Sequence, residues 1–249
     1  MEVNPVAAAG FGRAADVYER SRPSYPADAV ARLAAELGIG PGRSVLDLAA
    51  GTGKFTRLLA ELGADLVAVE PSAAMRSEFA AVLPAVTVYE GTAEQIPLAG
   101  NSVDAVVVAQ AFHWFDAPKA FAEIERVLRP EGGLGLIWNE RDESVPWVAE
   151  LSQVMQWDVR MPYAVGTDFR AVLDESGRFT PARRERFRFE QELDRDGLCE
   201  RVSTTSFIAA MDAAEREVLL GAVRDLVSDF PERFSLPYMT ELFWCRLRA

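Results

Sequence analysis

The residues best suited to chemistry lie where an apolar run breaks into glycine. Val45–Leu59 reads VLDLAAGTGKFTRLL, with Asp47 inside a hydrophobic stretch and Gly51 and Gly53 ahead of Phe55, Leu58 and Leu59. A glycine there lets main chain come within contact distance of a ligand, because no Cβ intervenes. Farther on, Gln110-Ala111-Phe112-His113-Trp114-Phe115 places the only histidine of the chain among aromatics. An imidazole that titrates near neutrality suits a general base, and the same ring can instead pack or hydrogen-bond a ligand without moving a proton.

These residues need elements to hold them, and the periodicity supplies a consistent set. Val30, Leu33, Ala34 and Leu37 share one helical face over Ala27–Leu37, with Gly38 as the stop. Ser44–Leu48 then predicts a strand, and Phe55, Leu58, Leu59 and Leu62 a helix ended by Gly63. Leu66–Val69 predicts the second strand; Ser72 is placed to cap a helix carrying Met75, Phe79 and Val82, and Val86–Tyr89 predicts the third strand. Val103–Ala109 is nearly all aliphatic, as a strand covered on both faces would be. A helix over Phe121, Ile124, Val127 and Leu128 follows, stopped by Pro130 and Gly132-Gly133, and Leu134–Trp138 predicts a fifth strand. Strand and helix alternate, which predicts an α/β fold with a doubly wound, mainly parallel sheet. Beyond Arg141 the pattern loosens into helical patches, a strand over Arg184–Leu193, a helix over Asp212–Phe230 and a last strand over Tyr238–Leu247.

In such a sheet ligands sit beyond the carboxyl ends of the strands, so the glycine turn predicts a nucleotide-like ligand. A P-loop is excluded, since Leu48 occupies its first glycine position and Phe55 follows Lys54 where a hydroxyl should hold magnesium. A dinucleotide fingerprint is weakened, because Thr56 stands at the third glycine position. A third reading is S-adenosylmethionine, which has no pyrophosphate to cradle and needs only a close backbone approach.

VLDLAAGTGKFT resembles the first motif of the class I S-adenosylmethionine-dependent methyltransferases, an acidic residue followed by G-x-G-x-G, here Asp47 with Ala49, Gly51 and Gly53. Ala49 replaces the first glycine, so its backbone is expected to need no positive φ. The resemblance implies that Glu70, with Pro71 after it, accepts hydrogen bonds from both ribose hydroxyls, for which two carboxylate oxygens are suited. It implies that Thr92, Ala93 and Glu94 frame the adenine, that Gln110 and Ala111 line the cofactor, and that Phe55 belongs to the same site. Asp47 either touches the cofactor or braces the loop. The stretch FGRAADVYERSRPSYP resembles the lid of small-molecule enzymes related to the trans-aconitate methyltransferases (methyltransferase type 11), in which a tyrosine and an arginine approach the methionine end; Tyr18 and Arg22 match them. SLPYMTELFWCRL also looks like this group, whose terminal strand joins the sheet antiparallel.

On this reading Trp114 offers an aromatic face to a sulfonium cation, and His113, Trp114, Trp138 and Tyr163 line the acceptor. Trp147, Trp157, Arg160, Tyr163 and Phe169 suggest a mostly apolar acceptor bearing an anionic or polar group. The expected activity is methyl transfer to a small molecule, on carboxylate or hydroxyl oxygen first; the alternatives are methylation of nitrogen or carbon, an NAD(P)-dependent oxidoreductase on the same fold, and a non-methylating member that keeps the cofactor as a ligand.

Composition sets the frame. The chain has 249 residues and a net charge of -12, which leaves no basic surface to neutralise phosphates and disfavours nucleic acid and anionic membrane. Two distant cysteines and one histidine support neither a zinc cluster nor a disulfide framework, so no metal is expected and a reducing cytoplasm is. No secretory signal or bilayer-spanning run is evident, and the oligomeric state is open. One methyltransferase domain is expected over 1–249: lid helices in 1–39, a cofactor core in 43–141, a substrate-cap insertion in 142–207, and a closing helix and strand in 208–249.

Overall fold

The structure, a computed structural model, describes residues 21–160 and 168–248; Tyr18 and Tyr163 lie outside them. Helix α1, Ala27–Leu37, buries Val30, Leu33, Ala34 and Leu37, and Gly38 ends it in the left-handed region at φ 69°. Strand β1, Ser44–Leu48, leads through the glycine turn into α2, Lys54–Ala60. Next come β2, Asp65–Val69, and α3, Ala73–Val82, capped by Ser72 Oγ, which accepts from the Met75 N–H. Then β3, Thr87–Tyr89, β4, Val103–Ala109, and a short 3-10 turn at Phe112–Trp114 precede α4, Ala117–Val127.

Strand β5 departs from expectation. It spans Leu128–Arg141 and takes in the proline and glycines read as a stop. Val103 pairs with Leu128 and Ala105 with Gly133, so the intervening residues bulge out of the ladder, one of the few places a strand tolerates proline. Gly133 and Gly135 serve packing: a Cβ on them would stand 2.5 Å from Leu37 and 2.6 Å from Leu33, so α1 lies directly on the strand.

The later elements are α5, Pro146–Val154, α6, Trp157–Arg160, α7, Phe169–Glu175, β6, Arg183–Leu193, α8, Arg195–Ser203, α9, Ser206–Ala209, α10, Ala213–Leu226, and β7, Phe234–Arg246. The sheet order is β3-β2-β1-β4-β5-β7-β6, with parallel pairing from β3 to β5 and an antiparallel terminal strand. This is the doubly wound, mainly parallel architecture the alternation predicts. Its order reverses at β1, which has β2 on one side and β4 on the other.

Two compact units emerge from the contacts within the chain. The larger comprises 24–139, 168–187 and 240–249, and covers its sheet on both faces. Leu46, Leu48, Val106, Phe121, Ile124 and Phe243 pack on one side; Val45, Leu33, Phe55, Leu59, Val107 and Trp244 pack on the other. The other unit comprises 1–23, 140–167 and 188–239, and builds its own core from residues such as Leu151, Met155, Leu198, Val202, Val223 and Tyr238.

Candidate cofactor and active site

Strand register brings the candidate residues to one edge of the larger unit. Leu48 pairs with Val69, so Ala49 and Glu70 leave their strands side by side. On the other side Asp47 pairs with Val107, which puts Gln110 just past the same edge. Ala49 and Gln110 both sit at φ 59°, in the left-handed region. The expectation of an unstrained alanine is therefore overturned: the chain turns sharply at once, with the Ala50 N–H donating to the Val69 carbonyl at 3.1 Å. A left-handed alanine costs about 1–2 kcal/mol, and strain of this kind gathers at functional sites. Here two such residues flank the point where the strand order reverses. Ala49→Gly is expected to raise stability by about 0.5–1 kcal/mol, the relieved strain less the extra entropy of an unfolded glycine. Urea unfolding measures it, and a loss of stability would contradict the strain.

The two turn glycines do different work. A Cβ on Gly53 (φ 84°) would lie 2.8 Å from both Leu83 and Phe79, so this glycine is required by packing of α2 against α3. A Cβ on Gly51 (φ 59°) would meet nothing within 4 Å. Bare main chain there faces open space, which is what close ligand approach needs. The Gly51 N–H donates to Glu70 Oε2 at 3.0 Å, and the Ser72 N–H donates to Glu70 Oε1 at 2.8 Å. Glu70 is buried, and burial pushes its carboxyl above the usual range, opposed by those two N–H groups and by Arg76. Each oxygen keeps a lone pair for a ligand hydroxyl.

Arg76 is a residue the sequence did not point to. Its Nη1 donates to the carbonyls of Glu70 and Pro71 at 2.9 and 2.7 Å, while Nη2 pairs with Glu90 at 2.8 Å. One planar fork thus fixes the ends of β2 and β3 together.

Asp47 is fully buried. Thr56 Oγ1 donates to its Oδ2 at 2.6 Å, bracing β1 against α2, while Oδ1 has no hydrogen-bond partner among the described residues. Desolvation, moderated by Thr56 and reinforced by the charge of Glu70, raises its pKa to about 7. The sign follows from linkage: the native state keeps a proton that the unfolded chain releases near pH 4, so this group's contribution to stability is lost as pH rises from about 4 to about 7. Asp47→Asn keeps an acceptor for Thr56 and never ionises. It is expected to gain a few kcal/mol relative to wild type on going from pH 5 to pH 8 in urea unfolding, and a pH-independent difference would contradict the raised pKa.

The other half of the site comes from β3 and β4. Thr92 bridges Gln95, Ala93 is buried, and Glu94 Oε1 accepts from the Asp116 N–H at 2.9 Å, tying the loop to the start of α4. Gln110 Nε2 donates to the Asn139 carbonyl at 3.0 Å; the Asn139 side chain accepts from Thr240 Oγ1 at 2.6 Å and donates to the Ser24 carbonyl at 2.8 Å. Asn139, like Arg76, acts on main chain and left no mark in the sequence. Ala111 is buried beside Phe112. His113 is half-buried with its ring 4.6 Å from Trp114 and 6.1 Å from Trp138, and desolvation lowers its pKa to about 4.

Two candidates have rings packed into the core of the larger unit. Phe55 is 2% exposed and meets Tyr25 edge-on at 5.0 Å, so its ring belongs to the core. Trp138 is 6% exposed and stacks on Phe169 at 4.2 Å. Arg22 belongs to the other unit, where Nη2 donates to the Thr204 carbonyl at 2.7 Å. In that unit too, Arg160 pairs with Glu215 on the surface. Among the described residues no group of three potential ligands could hold a metal ion, and no helix is long and apolar enough to cross a membrane.

Comparison with known proteins agrees with this geometry. The methyltransferase domain family matches residues 46–136, the span from β1 to β5. An uncharacterized methyltransferase of Mycobacterium tuberculosis is 41% identical over 235 residues, 92% of each chain. The malonyl-[acyl-carrier protein] O-methyltransferase of Pectobacterium atrosepticum is 35% identical over 150 residues, 60% of this chain and 57% of that one. A Haemonchus contortus phosphoethanolamine N-methyltransferase, solved with phosphomonomethylethanolamine and S-adenosylhomocysteine, shares the fold at TM-score 0.62 and 16% identity, over 99% of this chain and 61% of that one. The chain belongs to the methyltransferases.

Proposed function

We propose that S-adenosylmethionine binds at the reversal point between β1 and β4, and that its methyl group passes to an oxygen of a small organic acceptor. The observation that carries this is Glu70: a buried carboxylate held by the N–H groups of Gly51 and Ser72, beside a glycine whose missing side chain leaves open space. The donor set fits the cofactor. Glu70 is suited to the ribose hydroxyls, Thr92, Ala93 and Glu94 to the adenine, and Gly51 and Ala49 to close main-chain approach; Asp47 braces the turn through Thr56. Gln110 and Ala111 complete the wall. Phe55 contributes only its place in α2, and Pro71 only its carbonyl to Arg76. Acceptor recognition falls to His113 and Trp114.

When bound, S-adenosylmethionine supplies a methyl group on a sulfonium whose departure leaves a neutral thioether. Holding an acceptor oxygen in line and at short range is then worth ~7–11 kcal/mol of the barrier. A carboxylate acceptor is ionised at neutral pH and needs no base, whereas a hydroxyl does. Burial keeps the His113 imidazole neutral over the physiological range and makes it a weak base. It is better suited to hydrogen-bonding a carboxylate acceptor than to deprotonating an alcohol. Similarity to the malonyl-[acyl-carrier protein] O-methyltransferase favours an oxygen acceptor. The two described cysteines are free and buried, which suits a reducing, cytoplasmic setting.

The test is incubation with isotopically labelled S-adenosylmethionine and a panel of small carboxylic acids, phenols and amines, read by mass spectrometry. Base-labile methyl esters are expected, with S-adenosylhomocysteine released in equal amount. Products confined to amines would overturn the oxygen assignment. His113→Ala is expected to change carboxyl methylation less than about tenfold, and the rate should show no inflection near pH 6.5; a loss of about 10²-fold or more would make the imidazole a base after all.

A further inference from the structure

Two guanidinium groups in the smaller unit break the rule that buried charge is paired. Arg201, on α8, is 7% exposed, and among the described residues no carboxylate lies within 4.0 Å of it or of Arg141, at the end of β5. Other arginines of this unit behave ordinarily: Arg160 pairs with Glu215 and Arg224 with Glu217, both at the surface. The two unusual ones are also close enough for the charge of Arg201 to lower the pKa of Arg141; desolvation first and this repulsion second bring it to about 10, against the smaller opposing influences of Tyr238 and of the Glu143 carboxylate. Like charges held near one another in a desolvated place are costly unless something anionic arrives.

Their partners are neutral and aromatic, and they leave hydrogen-bonding capacity over. Arg141 donates from Nε and Nη2 to Ser152 Oγ on α5, at 3.3 and 3.2 Å, and lies over the Trp157 ring at 4.4 Å. Arg201 donates from Nε to the Tyr238 hydroxyl at 3.0 Å, and that hydroxyl donates to Gln191 Oε1 at 3.4 Å. The Asp142 N–H donates to the Pro237 carbonyl at 3.0 Å, so the backbones carrying Arg141 and Tyr238 run side by side. Each guanidinium has five N–H groups, and these contacts use two of Arg141 and one of Arg201. Both forks are aligned by hydroxyl groups that cannot neutralise them, and the Glu143 carboxylate acts on Arg141 only from beyond ion-pair distance. Apolar rings stand beside them, as an organic ligand with one anionic end requires.

We propose that Arg141 and Arg201 form an oxyanion site for a small organic carboxylate with an apolar body, aligned by Ser152 and Tyr238 and flanked by Trp157. A planar carboxylate accepts two parallel N–H bonds from a guanidinium and neutralises the pair. This goes beyond the methyl-transfer reading by naming the residues of the smaller unit that recognise a carboxylate, and it rests on that reading only for the ligand's being the methyl acceptor.

The test is thermal unfolding of the full chain at constant ionic strength, with 10 mM benzoate, phenyl phosphate, inorganic phosphate or benzamide, each with and without S-adenosylhomocysteine. Benzoate is expected to raise the midpoint by about 2–4 °C, and the uncharged isostere benzamide by none. Arg141→Met and Arg201→Met should each abolish the benzoate shift while leaving the shift from S-adenosylhomocysteine in place. Should a methionine variant fail to fold, Arg141→Lys keeps the charge, loses the fork, and should cut the shift at least by half. No benzoate shift, an equal benzamide shift, or a benzoate shift that survives both arginine replacements would overturn the site; a shift from phenyl or inorganic phosphate alone would overturn its assignment to carboxylates. If S-adenosylhomocysteine gives no shift while benzoate does, the methyl-transfer reading fails and the oxyanion site stands.

Discussion

Replacing Glu70 with alanine is expected to weaken S-adenosylhomocysteine binding by about 10²-fold or more, measured by calorimetry at pH 7.5. Two hydrogen bonds from ligand hydroxyls to one carboxylate contribute about 1.5–3 kcal/mol each, and about 3 kcal/mol is two decades of affinity. The substitution also releases the N–H groups of Gly51 and Ser72, so the glycine turn loses its brace along with its acceptor. Glu70→Gln separates these losses. It preserves size but turns one oxygen into a donor facing a donor N–H, so it should bind nearly as poorly as the alanine variant. Because burial raises the carboxyl's pKa, protonation on acidification should also weaken wild-type binding, and this dependence should vanish in Glu70→Ala. Equal affinities for wild type and Glu70→Ala would remove Glu70 from the site.

The second large effect is a contrast between neighbours. Gly53→Ala combines a left-handed alanine with a Cβ driven to 2.8 Å from Phe79 and Leu83, both packed against α2. Left-handed strain of about 1–2 kcal/mol and overpacking of about 1–3 kcal/mol predict a loss of about 2–5 kcal/mol in unfolding free energy. Gly51→Ala meets no protein atom and should lose only the conformational part, about 1–2 kcal/mol. Its new methyl projects into the open space assigned to the cofactor, so affinity should fall more than tenfold while the fold survives. Unfolding curves and calorimetry on the two variants decide this. If Gly51→Ala binds normally, that space is not where the ligand lies.

Much of the core could be read from the chain because its signals are local. Ser44–Leu48 and Val103–Ala109 match the observed strands residue for residue, since short, mostly aliphatic runs bounded by polar and turn residues leave little choice of boundary. Ser72 caps its helix as its position suggests. What failed depended on contacts distant in sequence. Pro130 and Gly132 looked like a stop and instead form a bulge within β5, because the strand is held by β4 and by the leucines of α1. Ala49 looked compatible with ordinary backbone, but the turn toward β2 imposes a positive φ. Phe55 and Trp138 were read as site residues from position along the chain, and only side-chain direction shows them turned into the core. Arg76 and Asn139 donate to backbone carbonyls, partners that no residue pattern encodes. Arg160, which the sequence favoured for an anionic ligand, is spent on a surface ion pair, while Arg141 and Arg201 drew no notice because an arginine's lack of a carboxylate is visible only in three dimensions.

The central claim is that the carboxylate of residue 70 grips the sugar hydroxyls of a cofactor seated over the Gly51 turn. A double-mutant cycle tests it most directly, with wild type and Glu70→Ala each titrated calorimetrically with S-adenosylhomocysteine and with its 2′,3′-dideoxy analogue. The account predicts that removing the hydroxyls weakens binding to wild type by about 10²-fold and makes almost no difference to Glu70→Ala. Independent, additive losses, or full affinity of wild type for the dideoxy analogue, would contradict it.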